Sequence, residues 1–176
     1  MAFSRVTLGD RAPALVTVVI EIPRGATNKY EYDEASDEIR LDRVLHAPVF
    51  YPTEYGFLPQ TRAADGDHLD VMVLISQPTF PGCILEARPI GLLDMEDEAG
   101  DDWKVLAVAA SDPMYHNVRM VEDLPEHFKR EVQQFFESYK VLEGKWASVR
   151  GWRGTADAHR TIMDAHRRYH APPSPM

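Results

Sequence analysis

The order of local patterns in this chain predicts a mainly β domain with flanking helices, a small barrel or curled sheet with two helices packed outside it. Three observations carry that prediction. Short β-branched or alternating segments fill the first two-thirds. Turn signals separate them, at Pro23–Gly25, Ala64–Gly66, Pro81–Gly82 and Glu98–Gly100. In the last third, apolar residues recur instead at steps of three and four.

Taken in order, residues 15–22 (LVTVVIEI) are β-branched and apolar, and residues 28–33 and 38–45 alternate. Residues 69–75 (LDVMVLI), 84–94 and 103–109 (WKVLAVA) read as further strands, the first of them buried. Residues 50–57 (FYPTEYGF) read as an aromatic-rich connection, and the acidic run 94–102 as a solvated hairpin loop. A helix is predicted over 124–140, with Leu124, Phe128, Val132, Phe135 and Tyr139 on one stripe. Asp123 and Glu126 are placed to form a capping box, with Pro125 in the first turn. A second helix over about 156–169 follows Thr155 as N-cap and carries Ala158, Ile162, Ala165 and Tyr169 on its stripe.

The chain has 176 residues, 44% hydrophobic and 27% charged, which suits one folded domain over 1–170. The last residues, 171–176 (APPSPM), are expected to be a disordered tail. A net charge of −9 argues against a nucleic-acid partner bound by phosphate neutralisation and against anionic membranes. Cys83 is the single cysteine, so no internal disulfide can form. The first residues lack a basic segment followed by an apolar one, and no run approaches the roughly 20 apolar residues of a membrane span, so a cytoplasmic location is expected.

Charges interrupt the apolar pattern in a concerted way. Lys29 and Glu31 share a strand face by parity, as do Asp65 and Asp67, and Asp102 and Lys104. Arg43 has the parity of Ile39 and Leu41, and Glu21 that of Leu15, Thr17 and Val19. Any one of these is ordinary surface, but buried together they would have to be paired or bound to metal. The densest cluster, Asp65-Gly66-Asp67-His68-Leu69-Asp70, sets three carboxylates at a turn running into a strand. Such neighbours repel unless protonated or bound to cations, and oxygen-only ligands suit hard cations such as Mg2+. An EF-hand does not fit, because Asp70 falls where that loop needs Gly and Ser76 where it needs Glu. Tyr139 and Lys140 end the first helix, where packing is the default role for Tyr139. The sequence holds no G-x-S-x-G elbow, P-loop, G-x-G-x-x-G or H-E-x-x-H motif. His166 and His170, four apart, read as a wet helix face rather than a metal pair.

Taken together, these residues resemble the family I soluble inorganic pyrophosphatases of the prokaryotic type, from about residue 15 to 155. The six-residue signature of that family reads here as Asp65 to Asp70, with His68 in the slot of Pro or Glu. Glu21 in VVIEIP, Lys29 and Glu31 in NKYEY, Arg43 in LDRV, and Tyr51 and Tyr55 in FYPTEYGF also match. So do Asp97, Asp102 and Lys104 in MEDEAGDDWK, and Tyr139-Lys140 in FFESYK.

The resemblance implies a five-stranded, OB-like β-barrel packed with two α-helices. It implies hydrolysis of pyrophosphate to two orthophosphates by metal-activated water attack, with several Mg2+ per active site and Mn2+ or Zn2+ as substitutes. Asp65, Asp70 and Asp102 would share the metal site, Asp97 would hold the metals that arrive with substrate, and Glu21 and Glu31 would act through water. Asp67 would be general base and metal contact. Lys29, Arg43, Tyr139 and Lys140 would grip phosphate oxygens. Lys104 and Tyr55 would orient carboxylates and leaving phosphate, and Tyr51 would add a supporting hydroxyl. His68 is either an exposed side chain or one that tunes Asp67 and the choice of metal. A homo-oligomer is implied too, a hexamer in short prokaryotic relatives, although Gln134 and Ser138 stand where some carry interface histidines. The competing readings are the same metal site acting on another phosphoanhydride, a non-catalytic OB-type binding module, and a divalent-metal store; the last gains nothing from the interleaved lysines.

Overall fold

The computed structural model describes residues 2–172. Most of the expected tail, from residue 173 on, lies outside the described residues. Nine strands are found among them: β1 (Val16–Ile22), β2 (Asn28–Asp33), β3 (Glu38–Val44), β4 (Glu54–Leu58), β5 (Leu69–Leu74), β6 (Ile84–Asp97), β7 (Gly100–Asp101), β8 (Lys104–Ala109) and β9 (Ala147–Arg153). The helices are α1 (Glu126–Ser138) and α2 (Thr155–His170).

Five strands close on themselves in the order β1-β4-β5-β8-β6, with β6 returning to β1. All neighbours are antiparallel except β5 and β8. Closure leaves the ring without an edge, and together with the two helices it is the OB-like barrel that the resemblance implied. β2 and β3 form a separate hairpin. β6 is long: its first part completes the ring, and its second runs on to pair with β9 and β7.

The ring strands are apolar on both faces because both are covered. On β5 and β8, Val71, Val73, Val105 and Ala107 join a core with Ala158, Ile162 and Ala165 of α2. Their neighbours Met72, Leu74, Leu106 and Val108 join a second core with Val132, Phe135 and Phe136 of α1 and Tyr139 at its C-terminal end. The period-2 alternation of strands thus feeds two helices at once, and the stripes read from the helical spacing are the faces that meet it, except that Tyr169 is exposed beside His68 rather than in either core.

Several local expectations are corrected. The connection around Tyr55 is strand β4, buried throughout. Its glycine hid it: an ideal Cβ at Gly56 would lie 2.0 Å from the Val19 carbonyl oxygen, so the crossing of β4 over β1 admits no side chain. Strand β9, also glycine-bearing, lies between the helices where none was expected. The acidic run is a paired hairpin, with Glu96 opposite Asp101. The Asp123–Glu126 capping box does not form; the Asp123 carboxylate accepts from Arg119 N and Met120 N in the preceding turn instead. Gly154, not Thr155, is the N-cap of α2, and the Thr155 hydroxyl donates to the Ile90 carbonyl at 2.9 Å.

Gly56→Ala is expected to destabilise the protein by about 3 kcal/mol or more, because backbone rather than a movable side chain blocks the added methyl. Urea unfolding checks this, and a change below about 1 kcal/mol would show that the β1–β4 crossing relaxes cheaply.

Candidate active site

Two bulges aim charged side chains that parity alone misplaces. Between the pairs Lys29–Arg43 and Tyr30–Leu41, β3 carries one extra residue, Asp42. The slip moves Arg43 off the face of Ile39 and Leu41, which pair with Tyr32 and Tyr30, and onto that of Lys29 and Glu31. Glu21 is likewise the extra residue between the pairs Ile20–Gly56 and Ile22–Tyr55. Its carboxylate accepts the Tyr32 backbone N–H at 2.7 Å.

The Asp65–Asp70 segment is pinned from within. The Thr61 hydroxyl donates to the Leu58 carbonyl at 2.6 Å and accepts from Leu69 N at 2.9 Å. Ala63 N donates to the Asp67 carbonyl, and Asp67 N to the Asp65 carboxylate at 3.0 Å. Gly66 turns the chain at φ +96°, where a side chain would strain. His68 is not an exposed side chain. Its ring stacks on Phe57 at 4.9 Å between centroids, and its Nδ1 and Nε2 lie 2.9 Å from the Thr61 carbonyl and the Glu34 carboxylate. Burial lowers its pKa although both partners favour the charged ring. It is a brace turned toward Glu34 and the aromatic rings.

The centre of the site is Lys104, whose ammonium lies 2.8 Å from Asp70 Oδ2 and 2.8 Å from Asp102 Oδ1. The Tyr55 hydroxyl donates to the same Asp70 oxygen at 2.6 Å. Burial by itself would drive the lysine neutral, but Asp70 and Asp102 outweigh it and hold the pKa above the ordinary value. Burial and the Asp70 charge raise Tyr55, so it remains a donor. Lys140 repeats the arrangement, 2.7 Å from Asp97 Oδ2; burial opposes its charge, and the bond to Asp97 prevails. Lys29 pairs with Glu31. Arg43 pairs with Asp42 and, at 2.9 Å, with Glu143. Tyr51 is packed against Phe135 and Tyr55. Asp67 is pushed up by burial and then by Asp65 and Asp70, and Glu21 is pushed up to about 8 by burial and then by Asp70.

All fourteen residues singled out in the sequence line one cleft of about 1040 Å³: Glu21, Lys29, Glu31, Arg43, Tyr51, Tyr55, Asp65, Asp67, Asp70, Asp97, Asp102, Lys104, Tyr139 and Lys140. Its carboxylates offer only oxygen, the donor set of a hard cation such as Mg2+. Among the described residues no three acidic, His or Cys side chains are yet drawn together as a ligand set. Lys104 and Lys140 hold carboxylates from the sides of the cleft instead.

Sequence reading passed over the partners of these groups. Asp42 and Glu143 flank Arg43, and Glu34 with Arg62 flanks His68. A buried Asp94 meets Arg150 and Arg153 of β9. Apart from Asp42, which is adjacent to Arg43 in sequence, these contacts cross long stretches of chain, and no local pattern marks them. His166 is tied to the Gln60 carbonyl through Nδ1 at 2.7 Å, so it is not part of a free pair with His170.

A cleft that alternates carboxylates with buried, charged lysines suits a multiply charged oxyanion that travels with hard cations, and on this barrel it defines a phosphate-handling hydrolase. Comparison with known proteins narrows the class. A sequence model described as inorganic pyrophosphatase matches residues 18–170. The chain is 49% identical over 165 residues to the inorganic pyrophosphatase of Thermus thermophilus, covering 92% of this chain and 94% of that one. It is 48% identical over 152 residues to that of Methanosarcina mazei, covering 86% and 90%. The crystal structure of the Thermus thermophilus inorganic pyrophosphatase superposes with a TM-score of 0.94 at 46% identity, over 97% of this chain and 100% of the other. The chain belongs to the inorganic pyrophosphatase family.

The raised Glu21 carboxyl has a consequence for stability. The folded protein keeps a proton that the unfolded chain releases, so stability falls as pH rises from 4.5 toward about 8. In chelator, Glu21→Gln is therefore expected to stabilise the protein at pH 8 by on the order of 2–4 kcal/mol, and by progressively less toward pH 4.5. Urea unfolding at pH 5 and pH 8 reads the difference. Equal effects at both would show that Glu21 is ionised throughout.

Proposed function

We propose that this chain hydrolyses inorganic pyrophosphate to two orthophosphates in the cleft around Lys104, with Mg2+ as its cofactor. The observation that carries the proposal is the gathering of four cationic side chains, Lys29, Arg43, Lys104 and Lys140, among the carboxylates of one cleft in a member of this family. A cation store has no use for them, and a polynucleotide groove would not be this acidic.

The obstacles to the reaction are a weak nucleophile, repulsion between it and the anionic substrate, and a poor leaving group. Mg2+ ions held by Asp65, Asp67, Asp70, Asp97 and Asp102, with Glu21 and Glu31 outside them, would neutralise phosphate oxygens and make water a better nucleophile. The side chains do the rest. Asp67, with its pKa raised by burial and by Asp65 and Asp70, accepts a proton from the attacking water as the new P–O bond forms. The bridging P–O bond breaks on the opposite side, and Lys104 and Tyr55 face the departing orthophosphate. Lys104 stays protonated because Asp70 and Asp102 hold it so, which makes it a fixed cation that need not reorganise during the step. Lys29, Arg43, Tyr139 and Lys140 grip the phosphate oxygens. Tyr51 backs Tyr55 by packing against its ring.

The same proposal includes Mn2+ or Zn2+ as substitutes for Mg2+, a cytoplasmic setting and a homo-oligomer, a hexamer in the form the resemblance implies. No described helix is long and apolar enough to cross a membrane. Light scattering after gel filtration tests the oligomer.

Phosphate release from pyrophosphate with excess Mg2+ should be rapid and should stop on addition of EDTA; a folded protein that releases none would overturn the proposal. Asp67→Asn should lower kcat by roughly 10²–10⁴-fold with the fold intact, since the amide keeps the shape of the side chain but cannot accept the proton. Near-parental turnover would remove Asp67 from that role. Arg43→Ala should weaken kcat/KM mainly through contact with the phosphate oxygens, and unchanged kinetics would leave Arg43 a structural partner of Asp42 and Glu143.

A further inference from the structure

The β6–β7 hairpin packs six acidic residues, Asp94, Glu96, Asp97, Glu98, Asp101 and Asp102, into nine positions. Lys104 answers Asp102, and Lys140 answers Asp97 and lies 3.6 Å from Glu98. Asp94, Glu96 and Asp101 remain. Glu96 and Asp101 stand directly opposite each other across the hairpin, a placement that drives two strands apart.

Arg150 of β9 meets all three. Its Nε lies 2.9 Å from Asp94 Oδ1 and its NH1 3.6 Å from Glu96 Oε2, and its NH2 pairs with Asp101. It reaches them from a bulge: β6 residues Asp94 and Met95 pair with Gly151 and Val149, which leaves Arg150 as the extra residue of β9. Arg153 backs it, with Nε 2.8 Å from the other Asp94 oxygen and its guanidinium 5.2 Å from the centre of the Trp103 ring, next to Asp102. By strand parity Asp97 has the opposite orientation to Asp94 and Glu96.

We propose that Arg150 is a positioning residue for the cleft. It cancels the Glu96–Asp101 repulsion, keeps the hairpin closed, and so fixes where Asp97 and Asp102 stand. This deepens the proposed function and rests on it, because the carboxylates it places are those assigned to hold the metal.

The sign of one measurement separates positioning from plain charge. Arg150→Met removes a cation near a cation-binding cleft, so if Arg150 acted through charge alone, divalent binding would tighten. Positioning demands the reverse. Calorimetric titration of the folded Arg150→Met protein with Mn2+ is expected to show affinity lowered by about 10-fold or more, the scale typical of partners that orient metal ligands. The Mg2+ concentration needed for half-maximal phosphate release should rise with it, with KM for pyrophosphate at saturating Mg2+ little changed. Adding Glu96→Gln and Asp101→Asn to that variant removes the repulsion itself and should restore most of the Mn2+ affinity, although two more anions are lost. Unchanged or tighter Mn2+ binding by Arg150→Met, or no recovery in the triple variant, overturns the inference. A parent protein that binds Mn2+ yet releases no phosphate would overturn the proposed function instead, and leave the calorimetric comparison standing.

Discussion

The buried ammonium of Lys104 is the contact on which the cleft depends. It is 2% exposed, at the start of β8, and bridges Asp70 on β5 to Asp102 at the end of the acidic hairpin. A lone buried charge would be costly, and either carboxylate left unpaired beside the other would repel it; the three together are compensated. Because β5 and β8 are the parallel pair that lets the ring close, the same ion cluster ties the site to the barrel. The Tyr55 hydroxyl adds the neighbouring strand β4 to the cluster through Asp70. The centre of the cleft and the strands of the barrel are therefore tied by one set of side chains.

Around this centre, irregularities in strand pairing do the aiming. Glu21 is a bulge residue, Arg43 is turned toward Lys29 by the extra residue Asp42, and Arg150 stands at a bulge in β9. A regular ladder would alternate these side chains strictly and send some of them to the wrong face. Glycine has the complementary role. Gly56 allows β4 to cross β1 at a distance no side chain permits, and Gly66 turns the carboxylate loop through positive φ. The site is thus assembled from departures from regular structure, each held in place by a barrel that is otherwise regular and apolar on both faces.

The charge balance follows the same logic. The chain is acidic overall, with a net charge of −9, yet Asp70 and Asp102 pair with Lys104, Asp97 with Lys140 and Glu31 with Lys29 inside the cleft. An acidic protein can handle an acidic substrate when hard cations and fixed ammonium groups reverse the local sign. His68 contributes to the frame: pinned between Thr61 and Glu34 and stacked on Phe57, it braces the segment that carries Asp65 and Asp67.

The sequence by itself determined the β-then-α order and the two helical stripes, because periodicity and turn residues are local signals; charges placed where apolar residues belong marked part of the cleft, and the full set of its residues came from the resemblance of their ordered motifs to a known family. Strand β4 stayed hidden because the glycine that makes its crossing possible also breaks its pattern, and β9 because it is polar on one side, carries a glycine and is bulged. Tertiary structure alone decided the orientation of Arg43 and Glu21, since pairing register, not parity within one strand, sets the face once a bulge intervenes. It also chose the partners. Glu143 for Arg43, Glu34 for His68 and Arg150 for Asp94 lie far away along the chain, and the energy of an ion pair depends on a distance in space that no local spacing encodes.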